Sequence, residues 1–516
     1  MKFSEFLAKN QSKILLVAIF TLALFLRWLY LPQGALVFGY DQGRDAFIAE
    51  EILHGDLKLQ GPPVGGLPGV FHGVLYYYVV APAYLLGHGN PIIAAFWMSF
   101  LNALGVFVIY LITLKIYNKK SAALISSLVY ACSFELSQYA NWLSNVSLAV
   151  IFVPLIYFGL YLWLRNKNRF GPITTGLALG LSIQCNAALA YHVVPVVFWI
   201  YLYRNKLFKK SILSFFTSFL LATSSMIIAE IKFNHGGFAG LWYLFSSQDK
   251  IASSVKFGEF FVNYLNQLGN VLSFTIFPLN IAFGGLVGLF VLIFIFYLWY
   301  QSDREKFSWH MVILSAPISY AIALAFGGGS TPHITVGIAS LISVMLGIIL
   351  WDLSLKNKYL SILLLALILG SNITKIVIEN KNGQTNFAIQ EGLILSSELK
   401  AVDYSYQESI GKPFSISTLT SPLFINTTWS YLYNWYGKTK YGYLPYWIGH
   451  DQIGQLGNNL QTAPINIQKH YFIIEPTFSI PDLYIGYARG DQESISKLIN
   501  KIDFGKIAVE EREMKK

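Results

Sequence analysis

Residues 40–51, with the sequence YDQGRDAFIAEE, concentrate charged side chains in a chain of which only 12% of residues are charged. Asp41 and Asp45 are four positions apart and Arg44 lies three positions after Asp41, so on a helix the three side chains share one face. This spacing predicts a catalytic carboxylate, Asp41, supported by its neighbours at a membrane surface. The structural alternative makes Asp41 the N-cap of a helix and the rest of the run a solvated face.

Further ionisable residues collect at the same end of the predicted membrane segments. Charges inside membrane spans are costly and usually functional, and random placement would scatter them over both faces. Their shared side therefore predicts a polar cavity that opens outward at the bilayer surface. Single residues keep structural alternatives: His192 as a satisfied core histidine and Trp142 as an interfacial anchor.

Such a cavity suits a substrate that is half lipid. A polyprenyl phosphate would keep its tail in the bilayer and present its phosphate, the leaving group, to cations and hydrogen-bond donors. An acceptor hydroxyl needs a base, for which Asp41 and Glu230 are candidates. A single in-line displacement inverts the anomeric carbon, whereas retention needs a second carboxylate as nucleophile, a role open to Asp45. The phosphate-binding candidates are Arg44, Lys58, His72, Lys232 and His333, and the acceptor or sugar-binding candidates are Glu230, His192 and Trp142.

Composition indicates a polytopic membrane protein. Hydrophobic residues make up 54% of the 516-residue chain, and its mean hydropathy is +0.50. The net charge of +10 does not indicate nucleic-acid binding, because the basic residues lie in short loops between apolar segments. Both cysteines, Cys132 and Cys185, fall inside apolar segments, which argues against a disulfide or a cysteine-based zinc site.

The pattern of apolar segments predicts about eleven spans, with the N-terminus cytoplasmic because lysines precede the first span. Residues 73–88 are too short to count and are interpreted as an interfacial or re-entrant helix. We predict a transmembrane domain over 1–379, with an outer loop 32–91 that carries the acidic motif, and a small extracytoplasmic α/β domain over 380–516. Within that domain, 413–418 and 471–476 are predicted strands, and 422–437 and 491–502 are predicted helices.

The order of these segments resembles the GT-C superfamily of polytopic glycosyltransferases, such as the protein O-mannosyltransferases and the lipid A aminoarabinose transferases. The resemblance covers about residues 10–380, through YDQGRDAFIAEEILHGD, HGVLYYYVVAPAYLLGHGNP, ANWLSNVSLAVIFVP and IIAEIKFNHG. It implies a polyprenyl-phosphate sugar donor, inversion, and the catalytic acidic role for Asp41. Several members have glutamate where this chain has Gln42, so Asp45 stands in by its position on the helix. Members often carry a basic residue near 61–63 and this chain does not, so phosphate contact falls to Lys58 or His72.

These observations predict a multi-pass glycosyltransferase, in the plasma membrane of a bacterium, that acts on an extracytoplasmic protein, lipid or cell-envelope glycan. No cofactor is predicted; the alternative is a divalent cation such as Mg²⁺ or Mn²⁺ held by Asp41 and Glu230. The runner-up function is a transporter or flippase for a lipid-linked sugar. It would use the same outer cavity but would need access from both faces, and the inner loops offer few buried charges. A third alternative is an inactive scaffold whose outer domain binds a partner.

Overall fold

The computed structural model describes residues 3–65, 67, 69–234, 236–237, 239–240, 242, 257–302, 307–325, 332–387, 390–478 and 480–515. Within these ranges, eight helical segments are long and apolar enough to cross a membrane: 10–33, 91–117, 145–164, 187–206, 209–232, 281–301, 338–356 and 358–382. The chain is therefore an integral membrane protein with several spans. The other three predicted spans correspond to shorter helices near 120–132, 170–185 and 309–325, so the count of eleven stays a prediction.

The helical part is an array of apolar helices around one large buried core, with a second small cluster of buried side chains beside it. Its helices, in chain order, are α1 Phe3–Trp28, α2 Tyr40–Leu53, α3 Leu75–Leu86, α4 Pro91–Ala103, α5 Gly105–Tyr117, α6 Lys120–Cys132, α7 Phe134–Ala140, α8 Ala149–Leu164, α9 Phe170–Cys185, α10 Val193–Tyr203, α11 Lys209–Lys232, α12 Phe257–Ile276, α13 Ile281–Gln301, α14 Trp309–Ala325, α15 Ile338–Lys356 and α16 Lys358–Glu379. The short helix α2 is polar, and in the sequence it lies between two apolar helices, α1 and α3.

The C-terminal part is an α/β domain, as predicted. It contains α17 Leu395–Ser409, β1 Ser415–Leu419, α18 Thr427–Leu432 with a π-helical turn at Tyr433–Gly437, α19 Lys438–Tyr441, β2 Tyr446–Trp447, β3 Lys469–Ile474, α20 Asp482–Ile495, β4 Ser496–Phe504 and β5 Ile507–Met514. The sheet order is β2-β1-β3-β5-β4; the first three strands are parallel, and β5 and β4 are antiparallel.

The two predicted strands are confirmed as β1 and β3, but the predicted helix at 491–502 is partly wrong. Helix α20 ends at Ile495, and residues 496–504 form β4 instead. The reason is tertiary: β5 offers a free antiparallel edge, and β4 pairs with it from Ser496 to Phe504. Pairing with β5 therefore outweighs the local helical periodicity of this segment.

The two parts of the chain pack closely at α2. Leu395 N–H donates to Leu36 O at 2.8 Å, and Tyr431 of α18 donates through its hydroxyl to Gly89 O at 2.6 Å. Gly43 of α2 lies so close to α18 that an added Cβ would be 3.0 Å from Thr428 Cα. A larger residue would require the two helices to move apart by a few tenths of an ångström, so Gly43 favours this close approach, which places the C-terminal domain against the acidic motif.

Candidate active site

Helix α2 begins with a cap that Asp41 does not provide. The N-cap residue is Gly39, and its N–H donates to the side-chain Oε1 of Gln42 at 3.0 Å. Gln42 Nε2 in turn donates to Leu143 O at 2.9 Å, which ties α2 to the loop after α7. The structural alternative for Asp41 is therefore wrong in its N-cap assignment, and Asp41 lies in the first helical turn with its carboxylate available for other contacts.

Arg44 joins the two aspartates of the motif. Its Nη1 donates to Asp41 Oδ1 at 2.7 Å, while Nε and Nη2 donate to Asp45 Oδ1 at 2.9 and 2.7 Å. The two carboxylates differ in accessibility: the Asp41 side chain is 57% exposed and that of Asp45 only 3%. Asp41 is thus the carboxylate that can meet a substrate, and Asp45 is a buried partner that fixes the guanidinium.

Burial shapes the charge states of this group. Loss of water raises the pKa of Asp45 to about 6, although the neighbouring Arg44 favours its charged form. Burial alone would lower the pKa of Arg44, but Asp45 and Asp41 outweigh it and the pKa is raised. At neutral pH the unit contains one permanent cation between two carboxylates.

Three cavities within the described residues share Arg44 as a wall. The histidine cavity, about 120 Å³, is lined by Asp41, Gln42, Arg44, Asp45, Pro62, Pro63, His72, Trp142, Leu143, Ser144, Asn145, Val146 and His333. The lysine cavity, about 440 Å³, is lined by Arg44, Ile48, Glu51, Asp56, Leu57, Lys58, Leu59, Gln60, Gly61, Pro63, Phe71, Tyr77, Lys232, Phe233 and Leu456. The amide cavity, about 340 Å³, is lined by Val37, Gly39, Tyr40, Asp41, Gln42, Arg44, Pro63, Gly65, Trp142, Gln384, Phe387, Gln390, Leu393, Ser421 and Pro422.

The histidine cavity brings together residues that are far apart in sequence. His72 Nδ1 accepts the Ala187 N–H at 3.0 Å, so in the neutral ring Nε2 carries the proton and can donate. Burial, helped by His333 and Arg44, lowers the pKa of His72 to about 4, and burial also lowers the pKa of His333. The His333 ring lies 6.0 Å from that of Trp142. Neutral histidines can therefore supply hydrogen-bond donors beside Asp41.

The two remaining phosphate-binding candidates, Lys58 and Lys232, line the lysine cavity. Lys58 Nζ pairs with Glu51 at 2.8 Å and also with Asp56. Lys232 ends α11, and the side chains just before it present an exposed apolar face: Ile227, Ile228 and Ile231. In a membrane this face meets lipid, so cations and an apolar track adjoin each other here.

Two sequence-predicted residues lie apart from the three cavities. His192 is fully buried in the core, with Nδ1 2.6 Å from the Tyr157 hydroxyl and 3.3 Å from Ser319 Oγ, but its Nε2 is buried without a hydrogen-bond partner among the described residues, so it is a core histidine that is satisfied at one ring nitrogen only. Glu230 packs against Gly237, where an added Cβ would lie 1.9 Å from Glu230 Oε1. Among the described residues, His, Cys, Asp and Glu form no group of three or more that could hold a metal ion. The cation alternative with Asp41 and Glu230 stays a prediction.

Several lining residues were not identified from the sequence. Gln384, Phe387 and Gln390 come from the segment between α16 and α17, and Ser421 follows β1. Phe387 packs its ring 5.0 Å from Trp142 at an interplanar angle of 21°. These residues have ordinary loop composition, and only the packing of the C-terminal domain on α2 reveals them.

Comparison with solved structures identifies the architecture. The structure of ArnT from Cupriavidus metallidurans bound to undecaprenyl phosphate matches with a TM-score of 0.56 and 13% identity, over 97% of this chain and 98% of that one. The archaeal oligosaccharyltransferase AglB from Archaeoglobus fulgidus, in complex with an inhibitory peptide and a dolichol-phosphate, matches with a TM-score of 0.52 and 13% identity, over 98% of this chain and 74% of that one. No protein-family model matches the chain, and no curated protein matches it in sequence. At this identity the likeness establishes the fold.

Proposed function

We propose a function for a chain that has the GT-C fold of membrane glycosyltransferases, as its sequence resemblance predicted. It transfers a sugar from a polyprenyl-phosphate donor to a hydroxyl-bearing acceptor, with Asp41 as the general base. The observation that carries this proposal is the exposed carboxylate of Asp41, held by Arg44 where the histidine and amide cavities meet.

The lysine cavity is the proposed site of the donor phosphate. Lys232 lines it together with Lys58 and Arg44, whose ion pairs with carboxylates a phosphate would have to compete with, and the apolar end of α11 offers the carrier tail a path along the bilayer. The sugar then extends into the histidine cavity, where the Nε2–H group of His72 can donate to it or to a phosphate oxygen. This arrangement distributes the predicted phosphate-binding residues between the two ends of one donor.

The proposed reaction is a single displacement. The acceptor oxygen attacks the anomeric carbon as its proton passes to Asp41, while the bond from that carbon to the phosphate oxygen breaks. The electron pair of that bond leaves with the polyprenyl phosphate, whose new negative charge Arg44 and the lysines stabilise. Attack opposite to the leaving group inverts the sugar. Asp45 then has no nucleophilic role, since it is buried and engaged by Arg44.

We also propose the orientation predicted from the loops, with the N-terminus cytoplasmic and the C-terminal domain extracytoplasmic. The positive-inside pattern supports it: basic residues lie in or just after the last turns of α5, α8, α10 and α15, namely Lys115, Arg165, Lys206 and Lys356. A cysteine placed at the exposed Ile465 should react with an impermeant maleimide in intact cells, and one at Asn118 should not.

Purified protein in detergent tests the activity, with a polyprenyl-phosphate sugar donor and a mixture of protein, lipid and glycan acceptors. We expect transfer of the sugar, and loss of about a thousandfold of that rate in Asp41→Asn, because a general base supplies roughly this factor. The matched control is Asp482→Asn, an exposed carboxylate in the first turn of α20. Donor translocation across vesicles without transfer would favour a flippase, and full activity of Asp41→Asn would refute the base assignment.

A further inference from the structure

The amide cavity adjoins the carboxyl end of strand β1 in the C-terminal sheet. In the parallel part, β1 lies between β2 and β3; the chain leaves β1 toward β2 on one side of the sheet and leaves β3 toward β4 on the other, so the direction reverses between β1 and β3. In open α/β sheets, ligands bind beyond the carboxyl ends of the strands at such a reversal. Here the residues beyond β1 and β3 are Ser421 and Glu475, and Ser421 lines the amide cavity.

A buried carboxylate organises this edge. Glu475 is 2% exposed; its Oε2 accepts from Gln390 Nε2 at 2.6 Å and from Ser421 N at 3.2 Å, and its Oε1 accepts from Trp429 Nε1 at 3.0 Å. Because Gln390 uses its Nε2 group for Glu475, its Oε1 is the atom left to accept a hydrogen bond in the cavity. Gln384 is oriented in the opposite sense, since its Oε1 accepts the Phe387 N–H at 2.9 Å and its Nε2 group remains as a donor.

The lining of the cavity is almost free of charge. Among the fifteen described lining residues, only Asp41 and Arg44 are ionised, and Arg44 is already paired with two aspartates. An anionic acceptor group would find no unpaired cation there. The remaining polar groups are amides and hydroxyls, placed beside the aromatic wall of Trp142 and Phe387.

We propose that the amide cavity binds a neutral sugar ring, so that the acceptor of this enzyme is an uncharged glycan hydroxyl. The inference rests on the proposed function and deepens it. A pyranose offers C–H faces that pack on aromatic rings, and hydroxyls that both donate and accept. The donor Nε2 of Gln384 and the acceptor Oε1 of Gln390 match this mixed requirement. The attacking hydroxyl would then lie beside Asp41, opposite the anomeric carbon of the donor.

The test measures binding in the absence of donor, with the full-length protein in a detergent that has no sugar headgroup. The probes are maltotriose, mannotriose, sulfated maltotriose and an uncharged serine-containing hexapeptide. We expect saturable binding of at least one neutral trisaccharide, detected by saturation-transfer NMR and calorimetry. Phe387→Ala and Gln390→Ala should each weaken it about tenfold, whereas Gln461→Ala, an exposed glutamine of the same domain, should not.

Each outcome separates this inference from the proposed function. Sulfated maltotriose bound as tightly as maltotriose, binding of the peptide alone, or no binding of any probe would overturn the neutral-glycan inference. Sugar transfer to a peptide or a phosphorylated lipid would leave the glycosyltransferase standing and refute the acceptor class. Trisaccharide binding without transfer from any polyprenyl donor would refute the glycosyltransferase proposal and leave the neutral-sugar site standing.

Discussion

The lysine cavity and the amide cavity both have Arg44 in their lining, and they differ in how many charged side chains they contain. The lysine cavity adds Lys58, Lys232, Glu51 and Asp56 to its wall. In the amide cavity, Asp41 is the one further ionised residue among the described lining residues. Their volumes are similar, about 440 and 340 Å³, so size does not distinguish them.

This contrast teaches how one ionic unit can serve two unlike substrates. A phosphate needs cations, whereas a neutral hydroxyl needs a base in a site that does not trap anions. Arg44, whose guanidinium Asp45 holds in place, lines both cavities, whereas Asp41 lines the amide cavity but not the lysine cavity. Under the proposed function, this separation would keep the released polyprenyl phosphate away from the acceptor side.

The largest expected effect comes from removing the shared wall. Arg44→Gln leaves Asp45 buried without its cation, which should destabilise the protein by about 3–5 kcal/mol and abolish transfer. The thermal midpoint in detergent and the transfer rate measure the two effects. Arg489→Gln, an exposed arginine of α20, is the matched control. An Arg44→Gln protein as stable as the parent would mean that the two sides do not depend on a common ion pair.

The next effect concerns the carboxylate behind the amide cavity. Burial raises the pKa of Glu475 from 4.5 to about 7, so between these values the folded protein holds this proton more often than the unfolded chain. Stability should therefore fall as the pH rises through this window, by about 3 kcal/mol at most, since each unit of pKa shift is worth about 1.4 kcal/mol. Glu475→Gln should flatten the decline of the thermal midpoint between pH 5 and 7. An unchanged slope in that variant would assign the decline to other groups.

A crossed pair of variants sharpens the comparison directly. Lys58→Met should raise the KM for the polyprenyl donor about thirtyfold, the equivalent of one charge-assisted hydrogen bond of about 2 kcal/mol. It should leave the KM for the acceptor unchanged. Gln390→Ala should raise the KM for the acceptor and leave the KM for the polyprenyl donor unchanged. Steady-state kinetics with each substrate varied in turn measures both, and equal effects of either variant on both KM values would break the division of the site.

The smallest expected effect is on the acid side of the pH profile. With a pKa of about 6, Asp45 becomes protonated below that pH and loosens its hold on Arg44. We expect kcat/KM to halve near pH 6 and to fall further below it, and Asp45→Asn to remove this dependence. His72 does not account for it, because burial lowers its pKa to about 4. A limb near pH 6 that persists in Asp45→Asn would point to another group.

The sequence predicted the meeting of certain residues at the ends of apolar segments better than it predicted their neighbours. Asp41, His72, Trp142 and His333 stood out because each is polar or amphipathic at the edge of an apolar segment, and the structure brings them together. The same pattern did not distinguish His192, which turns into the helical core. Position along a span gives depth, but the direction in which a side chain points depends on which helices pack around it.

The lining residues of the amide cavity could not be predicted from the sequence, for a different reason. Gln390 matters because Glu475 holds its amide, and Ser421 matters because β1 and β3 are adjacent. Such relations arise from strand order, which residue patterns do not specify for a short mixed sheet. The error at 496–502 has the same origin, since β5 is needed to define β4.

The close contact of Gly43 with Thr428 has a consequence for biogenesis. Translation inserts α2 and the helices around it long before Gln390, Ser421 and Glu475 leave the ribosome. The amide cavity is therefore complete only after the C-terminal domain has docked onto α2. A bulkier side chain at position 43 would hinder this docking in a protein whose helices are already inserted in the membrane.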